Sequence, residues 1–128
     1  MAAGENGILL KTFTAAADLS SYQYHFVKLA SATTVTYADD AGAAIGILQN
    51  KPESGESASV MMIGISCMKV GTTGVAAVMD KIKTEGTYGY GTTSATNLDN
   101  YNAIALETGV SGDVISVLLT PCSTLAHS

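Results

Sequence analysis

Residues 44–64 read AIGILQNKPESGESASVMMIG, and residues 103–119 read AIALETGVSGDVISVLL. Each stretch is an apolar run, a polar loop closing on glycine and an acid, and a second apolar run. In the first, Ile45, Gly46 and Ile47 precede QNKPES, Gly55, Glu56 and the alternating SASVMM. In the second, Ile104, Ala105 and Leu106 precede ETGVS, Gly112, Asp113 and VISVLL. Aligned on their apolar residues, the stretches are offset by 59 positions before the loop and 57 after it, which makes the second loop two residues shorter. The physical content is strand, tight turn, strand, with Gly55 and Gly112 supplying a permissive backbone and Glu56 and Asp113 keeping the rim hydrated. Two such units, over 44–62 and 103–119, pair to give a small β-barrel or β-sandwich sharing one core.

The flanking sequence extends this reading. YQYHFVKLA, residues 22–30, alternates as a strand, TTVTYA is β-branched, and ADDAG closes it with an acidic turn. SASVMMIGISCMKV is apolar on both faces, Val60 and Met62 on one and Met61, Ile63 and Ile65 on the other. Such a strand needs covering on both sides, one side by the domain core and the other by a neighbouring subunit. GTTGVAAVMDKIK permits one short helix over 73–82, with Val75, Val78, Met79 and Ile82 at helical spacing, or else a loop feeding a strand, because Gly71 and Gly74 weaken the helix. The expected fold is mainly β with at most one short helix. It divides into an extended N-terminal arm over 1–20, which could instead be a first edge strand, a β domain over 21–123, and a flexible tail over 124–128.

Composition narrows the function. The 128 residues suit one domain, and 47 % are apolar while only 13 % are charged, about half the usual share. The surface is therefore built from Ser, Thr, Asn, Gly and Ala, as suits a protein partly covered by neighbours. A net charge of −5 with six scattered lysines and no arginine argues against a nucleic-acid ligand. No apolar run is long enough to cross a bilayer, and the first residues lack a signal-peptide core. Cys67 and Cys122 have no metal-ligand spacing and read as free thiols or as one disulfide.

Catalytic patterns are missing. His25 and His127 have no acid or cysteine at a useful distance along the chain, and YGYGTT lacks the lysine and the strand-to-helix setting of a phosphate loop. Asp39 and Asp40 point apart in a strand-end turn and make a poor cation site. No enzyme activity, cofactor or metal is expected.

The succession of an apolar strand ending in GIL, a loop closing on GE, SVMMIGISCMKVG, a Gly- and Thr-rich middle, then AIALET, SGD and VISVLLTP resembles the small decoration, or cement, proteins of tailed-phage heads. The likeness runs from about Thr34 to Pro121. It implies a β-rich domain on the outer surface of the capsid of the virion, bound to the major capsid protein and commonly trimeric, with the N-terminal segment reaching across the shell. TYGYGTTSATNLDNY is longer and richer in Tyr and Gly than that pattern. On this reading Ile8, Leu9, Leu10, Phe13, Met61, Ile63 and Ile65 make the capsid or subunit contacts, and Tyr88, Tyr90 and Tyr101 lie on an apical surface. The rival reading is a carbohydrate- or receptor-binding module whose tyrosine rings stack on sugars.

Overall fold

The computed structural model describes residues 6–38, 43–86, 88–94 and 100–124, without the side chains of 6–8, 100 and 120–124. Among the described residues, nine strands account for nearly all of the regular structure: β1 (Asn6–Ala15), β2 (Phe26–Leu29), β3 (Thr34–Tyr37), β4 (Gly46–Leu48), β5 (Ser57–Lys69), β6 (Lys81–Glu85), β7 (Tyr90–Thr93), β8 (Asn100–Ala105) and β9 (Val114–Thr124). Among the described residues there is no helix. Of the stretch 73–82, residues 73–80 are a loop feeding β6, which begins at Lys81, and a bridge between Val75 and Gly109 pins that loop.

The first five strands close a barrel in the order β1-β3-β2-β4-β5, with β5 returning to pair antiparallel with β1 from Thr14 opposite Ser57 to Asn6 opposite Ile65. The arm expected over residues 1–20 is thus, over 6–15, an integral strand of this barrel. Phe13, Ala15, Leu19, Val27, Val35, Leu48, Ala58 and Val60 fill the interior, all buried. Phe13, expected to make a capsid or subunit contact, is thus buried and holds β1 to the core.

The last four strands build on the far half of β5 in the order β9-β8-β6-β7, and β7 returns to the end of β5 through a parallel bridge between Val70 and Gly91. This is a second barrel, and β5 belongs to both. Its even-numbered face runs from the first interior at Ala58 and Val60 into the second at Met68. The two-sided apolar character of β5 is explained within one chain, since Met61 on the opposite face is also buried, in the second core. Met61, expected to make a capsid or subunit contact, is thus buried within its own chain.

The two barrels are copies of one plan. Phe26 opposite Ile47 in the first corresponds to Lys81 opposite Ile104 in the second, Leu48 opposite Val60 to Ala105 opposite Val117, and Phe13 opposite Ala58 to Met68 opposite Ile115. The parallel pairing of Ala15 with Val35 corresponds to that of Val70 with Gly91. So β1 matches β5, β2 matches β6, β3 matches β7, β4 matches β8 and β5 matches β9. The hairpin loops match in detail. The N–H of Glu56 donates to the carbonyl of Glu53 and that of Asp113 to the carbonyl of Val110, each at 3.0 Å. In return Glu56 and Asp113 accept from the N–H of Glu53 and Val110 through their carboxylates, at 2.8 and 3.0 Å. Gly55 and Gly112 hold positive φ of 86° and 90° at the same point. The offset is 57 on both sides of the loop, so Ile47 answers to Ile104 rather than to Leu106, and the loops are equally long.

Candidate functional site

Two surface features stand out once the barrels are closed. The first is an aliphatic face crossing β1, β5, β9 and β8. Strand pairing sets Leu9 opposite Ile63, Ile65 opposite Leu118 and Leu118 opposite Ile104, so these side chains share one side of the sheet. Leu9, Leu10, Ile63 and Leu118 are 44 %, 48 %, 39 % and 39 % exposed. Ile65 and Ile104 are half-buried. A register shift between Leu9 and Leu10 accompanies the exposure of both neighbours, which a regular strand would send to opposite faces. Of the residues expected to make contacts, Leu9, Leu10, Ile63 and Ile65 come together here, Phe13 and Met61 lie in the cores, and the side chain of Ile8 lies outside the described set. Leu118 and Ile104 were not singled out from sequence. Their signal was the pairing of the second hairpin with β5, which only the closed barrel reveals.

The second feature is an aromatic cluster where the barrels meet. Tyr22 and Tyr88 stack with centroids 5.1 Å apart and planes 7° from parallel. Tyr37 meets both edge-on, at 5.6 and 4.9 Å. His25 lies under the cluster, 5.2 Å from Tyr22 and 4.5 Å from Tyr90, and its Nδ1–H donates to the carbonyl of Tyr88 at 2.7 Å. The imidazole is 3 % exposed. Burial holds its pKa below the ordinary value and the Lys69 ammonium acts in the same sense, against the opposing pull of the Tyr88 carbonyl. Desolvation raises the Tyr22 hydroxyl, with its neighbours Tyr88, Tyr37 and Tyr90 adding to the effect.

The structure therefore divides the expected tyrosine trio. Tyr88 and Tyr90 join the cluster, while Tyr101 sits elsewhere, its ring 5.8 Å from the Lys81 ammonium. Tyr22 and Tyr37 complete the group, although they lie far from Tyr88 in sequence. Cys67 is half-buried opposite Ser116, and the side chain of Cys122 lies outside the described residues. His127, Asp39 and Asp40 lie there too. Among the described residues no three His, Cys, Asp or Glu side chains gather as a metal site. An open cleft of ≈ 330 Å³ beside the cluster is lined by residues including Gln23, His25, Lys51 and Lys69. No helix of the described structure is long and apolar enough to cross a membrane.

No protein-family model matches this chain, and no curated protein is similar to it in sequence. Among solved structures, the fold is similar to the N base of the head fiber gp8.5 of bacteriophage phi29, with a TM-score of 0.71 and 15 % identity. The likeness covers 93 % of this chain and 98 % of that one. At this identity it is a likeness of fold, and it takes in both barrels.

Proposed function

We propose that this chain is a structural protein of a phage head, seated on the outer surface of the shell. The observation that carries the reading is the fold shared, nearly end to end, with the base of a phage head fiber. The order of apolar runs, resembling head decoration proteins, supports it independently, as does a surface poor in charge. The face of Leu9, Leu10 and Ile63 is the side that meets the major capsid protein. Burying one such side chain stabilises a contact by about 1.5–3 kcal/mol, so a few suffice to hold many copies at the seams between capsid subunits. A protein that binds the assembled lattice and not its separated subunits reinforces the shell by mass action. On this reading the chain acts as a homo-oligomer, a trimer by the decoration-protein pattern, and has no catalytic role.

The test is uptake of the purified chain by heads assembled from the major capsid protein encoded with it, followed by sedimentation and electron microscopy. Wild-type chain is expected to co-sediment and to appear as density on the outer surface, while Leu9→Lys with Leu10→Lys stays in the supernatant with its fold intact. Absence of wild-type chain from heads at saturation would sink the reading.

The aromatic cluster favours a second reading, a carbohydrate- or receptor-binding module. Tyr88 is 41 % exposed and already held in place by Tyr22, as a sugar-stacking platform requires. Binding to an oligosaccharide panel, lost in Tyr88→Ala, would support it. That substitution leaves the main-chain acceptor of His25 in place.

A further inference from the structure

The repeated plan says what one exposed surface is for, because its counterpart in the same chain is already covered. On the first barrel Phe26, Ile47 and Met61 form a row across β2, β4 and β5, pointing away from the barrel interior. This outer wall is 0 %, 0 % and 3 % exposed, and it packs in one core with Ala103 and Leu119, at the end of the second barrel's interior. Beside it, the N–H of Ala44 donates to Oδ1 of Asn102, the residue before Ala103 in β8, at 3.2 Å. The wall of barrel one thus stoppers the mouth of barrel two.

Each partner in that contact has an equivalent that the described residues leave partly exposed. The wall of barrel two is Lys81, Ile104 and Leu118, paired in the same order, with Ile65 next in line where barrel one has Leu10. Lys81 is exposed, Leu118 is 39 % exposed, and Ile104 and Ile65 are half-buried. The mouth of barrel one, at the positions matching Asn102, Ala103 and Leu119, is Ile45, Gly46 and Met62. Ile45 and Met62 pack on the first core yet are only half-buried. Tyr101, flanking this wall, matches Ala44 beside the covered one.

We propose that a second copy of this chain joins the two unused surfaces, the wall of barrel two in one copy seating on the mouth of barrel one in the next. The occupant is another copy because wall and mouth are a matched pair already joined once within the chain, and one of each is left over. Both are largely aliphatic, with Lys81 the one charged side chain among their named residues. The contact joins two different surfaces, so it runs head to tail, closing into a ring if the rotation between copies allows and extending into a filament if not. The inference rests on the homo-oligomer of the phage-head reading and names its contact, and it is read in solution without heads, so its failure is distinguishable from a failure to occupy the phage head.

The test is the mass of the intact chain by light scattering and sedimentation over a wide concentration range, for wild type, Leu118→Glu and Met62→Glu. Wild type is expected to assemble. Each variant alone is expected to be monomeric, and their equimolar mixture to stop at a dimer, because Leu118→Glu keeps a sound mouth and Met62→Glu a sound wall. A wild type that stays monomeric overturns the proposal, and so does a folded Met62→Glu that assembles like wild type, since wall would then meet wall. Should Met62→Glu unfold, disulfide trapping decides, with Leu118→Cys in one copy, Met62→Cys in the other, and Cys67→Ser and Cys122→Ser in both. A cross-linked dimer that forms in the mixture and in neither variant alone is expected, and its absence overturns the proposal.

Discussion

Tyr24 and Met79 occupy the same place in the two barrels, and among the described residues they are the two non-glycines with positive φ, each at 71°. The N–H of Tyr24 donates to the carbonyl of Leu48 at 2.8 Å, and that of Met79 to the carbonyl of Ala105 at 2.7 Å. Each left-handed turn delivers the chain into the second strand of its barrel, β2 or β6. Because the strain recurs where the side chains differ so much, it belongs to the barrel plan and not to a local site.

The strain is separable from packing, since Met79 is 68 % exposed while Tyr24 packs on the second core. A left-handed non-glycine costs about 1–2 kcal/mol, and glycine gives back part of that as chain entropy. Met79→Gly is therefore expected to raise stability by about 0.5–1 kcal/mol. Tyr24→Gly is expected to lower it, because the lost ring burial outweighs the relieved strain. Chemical denaturation of both variants checks the opposite signs.

Gly91 and Met68 are the second barrel's answer to Val35 and Phe13. A Cβ on Gly91 would meet the Met68 thioether, so the missing side chain at one position makes room for the long one at the other. Gly91→Ala is expected to cost about 1–3 kcal/mol by overpacking. Met68→Ala is expected to cost about 2–5 kcal/mol through the cavity it leaves. The pair together should cost less than the two added, by about 0.5 kcal/mol or more. A double-mutant cycle in urea measures that coupling, and strict additivity would contradict the packing described.

His25 ties the first barrel to the loop of the second, and charging its imidazole in this buried place should cost stability. Its folded-state pKa lies below the unfolded value near 6.5, so the unfolded chain binds the proton first. Stability from this group is fully present above about pH 6.5 and is lost as pH falls from there toward the folded pKa. The limiting slope for one proton is about 1.4 kcal/mol per pH unit. Unfolding midpoints measured from pH 7.5 downward should fall in wild type below that point and stay flatter in His25→Gln.

What the sequence carried legibly was local. Gly55 with Glu56 and Gly112 with Asp113 marked the two hairpins, because a turn needs its permissive backbone and its acid within a few residues. The full duplication was hidden because the interiors traded volumes: Phe13 became Met68, Val35 became Gly91, Leu48 became Ala105 and Ala58 became Ile115. Sequence comparison penalises each exchange, while a barrel interior accepts them together so long as total volume is kept. The offset of 59 before the loop came from matching aliphatic residues that recur on both faces of a strand, where a two-residue slip leaves the pattern intact. The aromatic cluster was only half legible, since Tyr22 and Tyr37 reach Tyr88 through the closure of two barrels.

Within β1, neighbouring residues serve separate ends, and that yields the sharpest test of the proposed role. Phe13 is 6 % exposed inside the first barrel, whereas Leu9 and Leu10 are nearly half exposed on its surface. Removing residues 1–15 would take away a strand that closes the barrel, so loss of head binding after such a truncation would report unfolding. Point changes separate the two roles. Phe13→Ala should cost about 3–5 kcal/mol and lower the melting temperature steeply. Leu9→Lys with Leu10→Lys should leave the melting temperature within a few degrees of wild type, since surface substitutions away from packing or backbone strain change stability by about 0.5 kcal/mol. If the double lysine variant keeps its fold and still occupies heads as wild type does, the aliphatic face is not the capsid contact, and the uncovered surface of β1 needs another explanation.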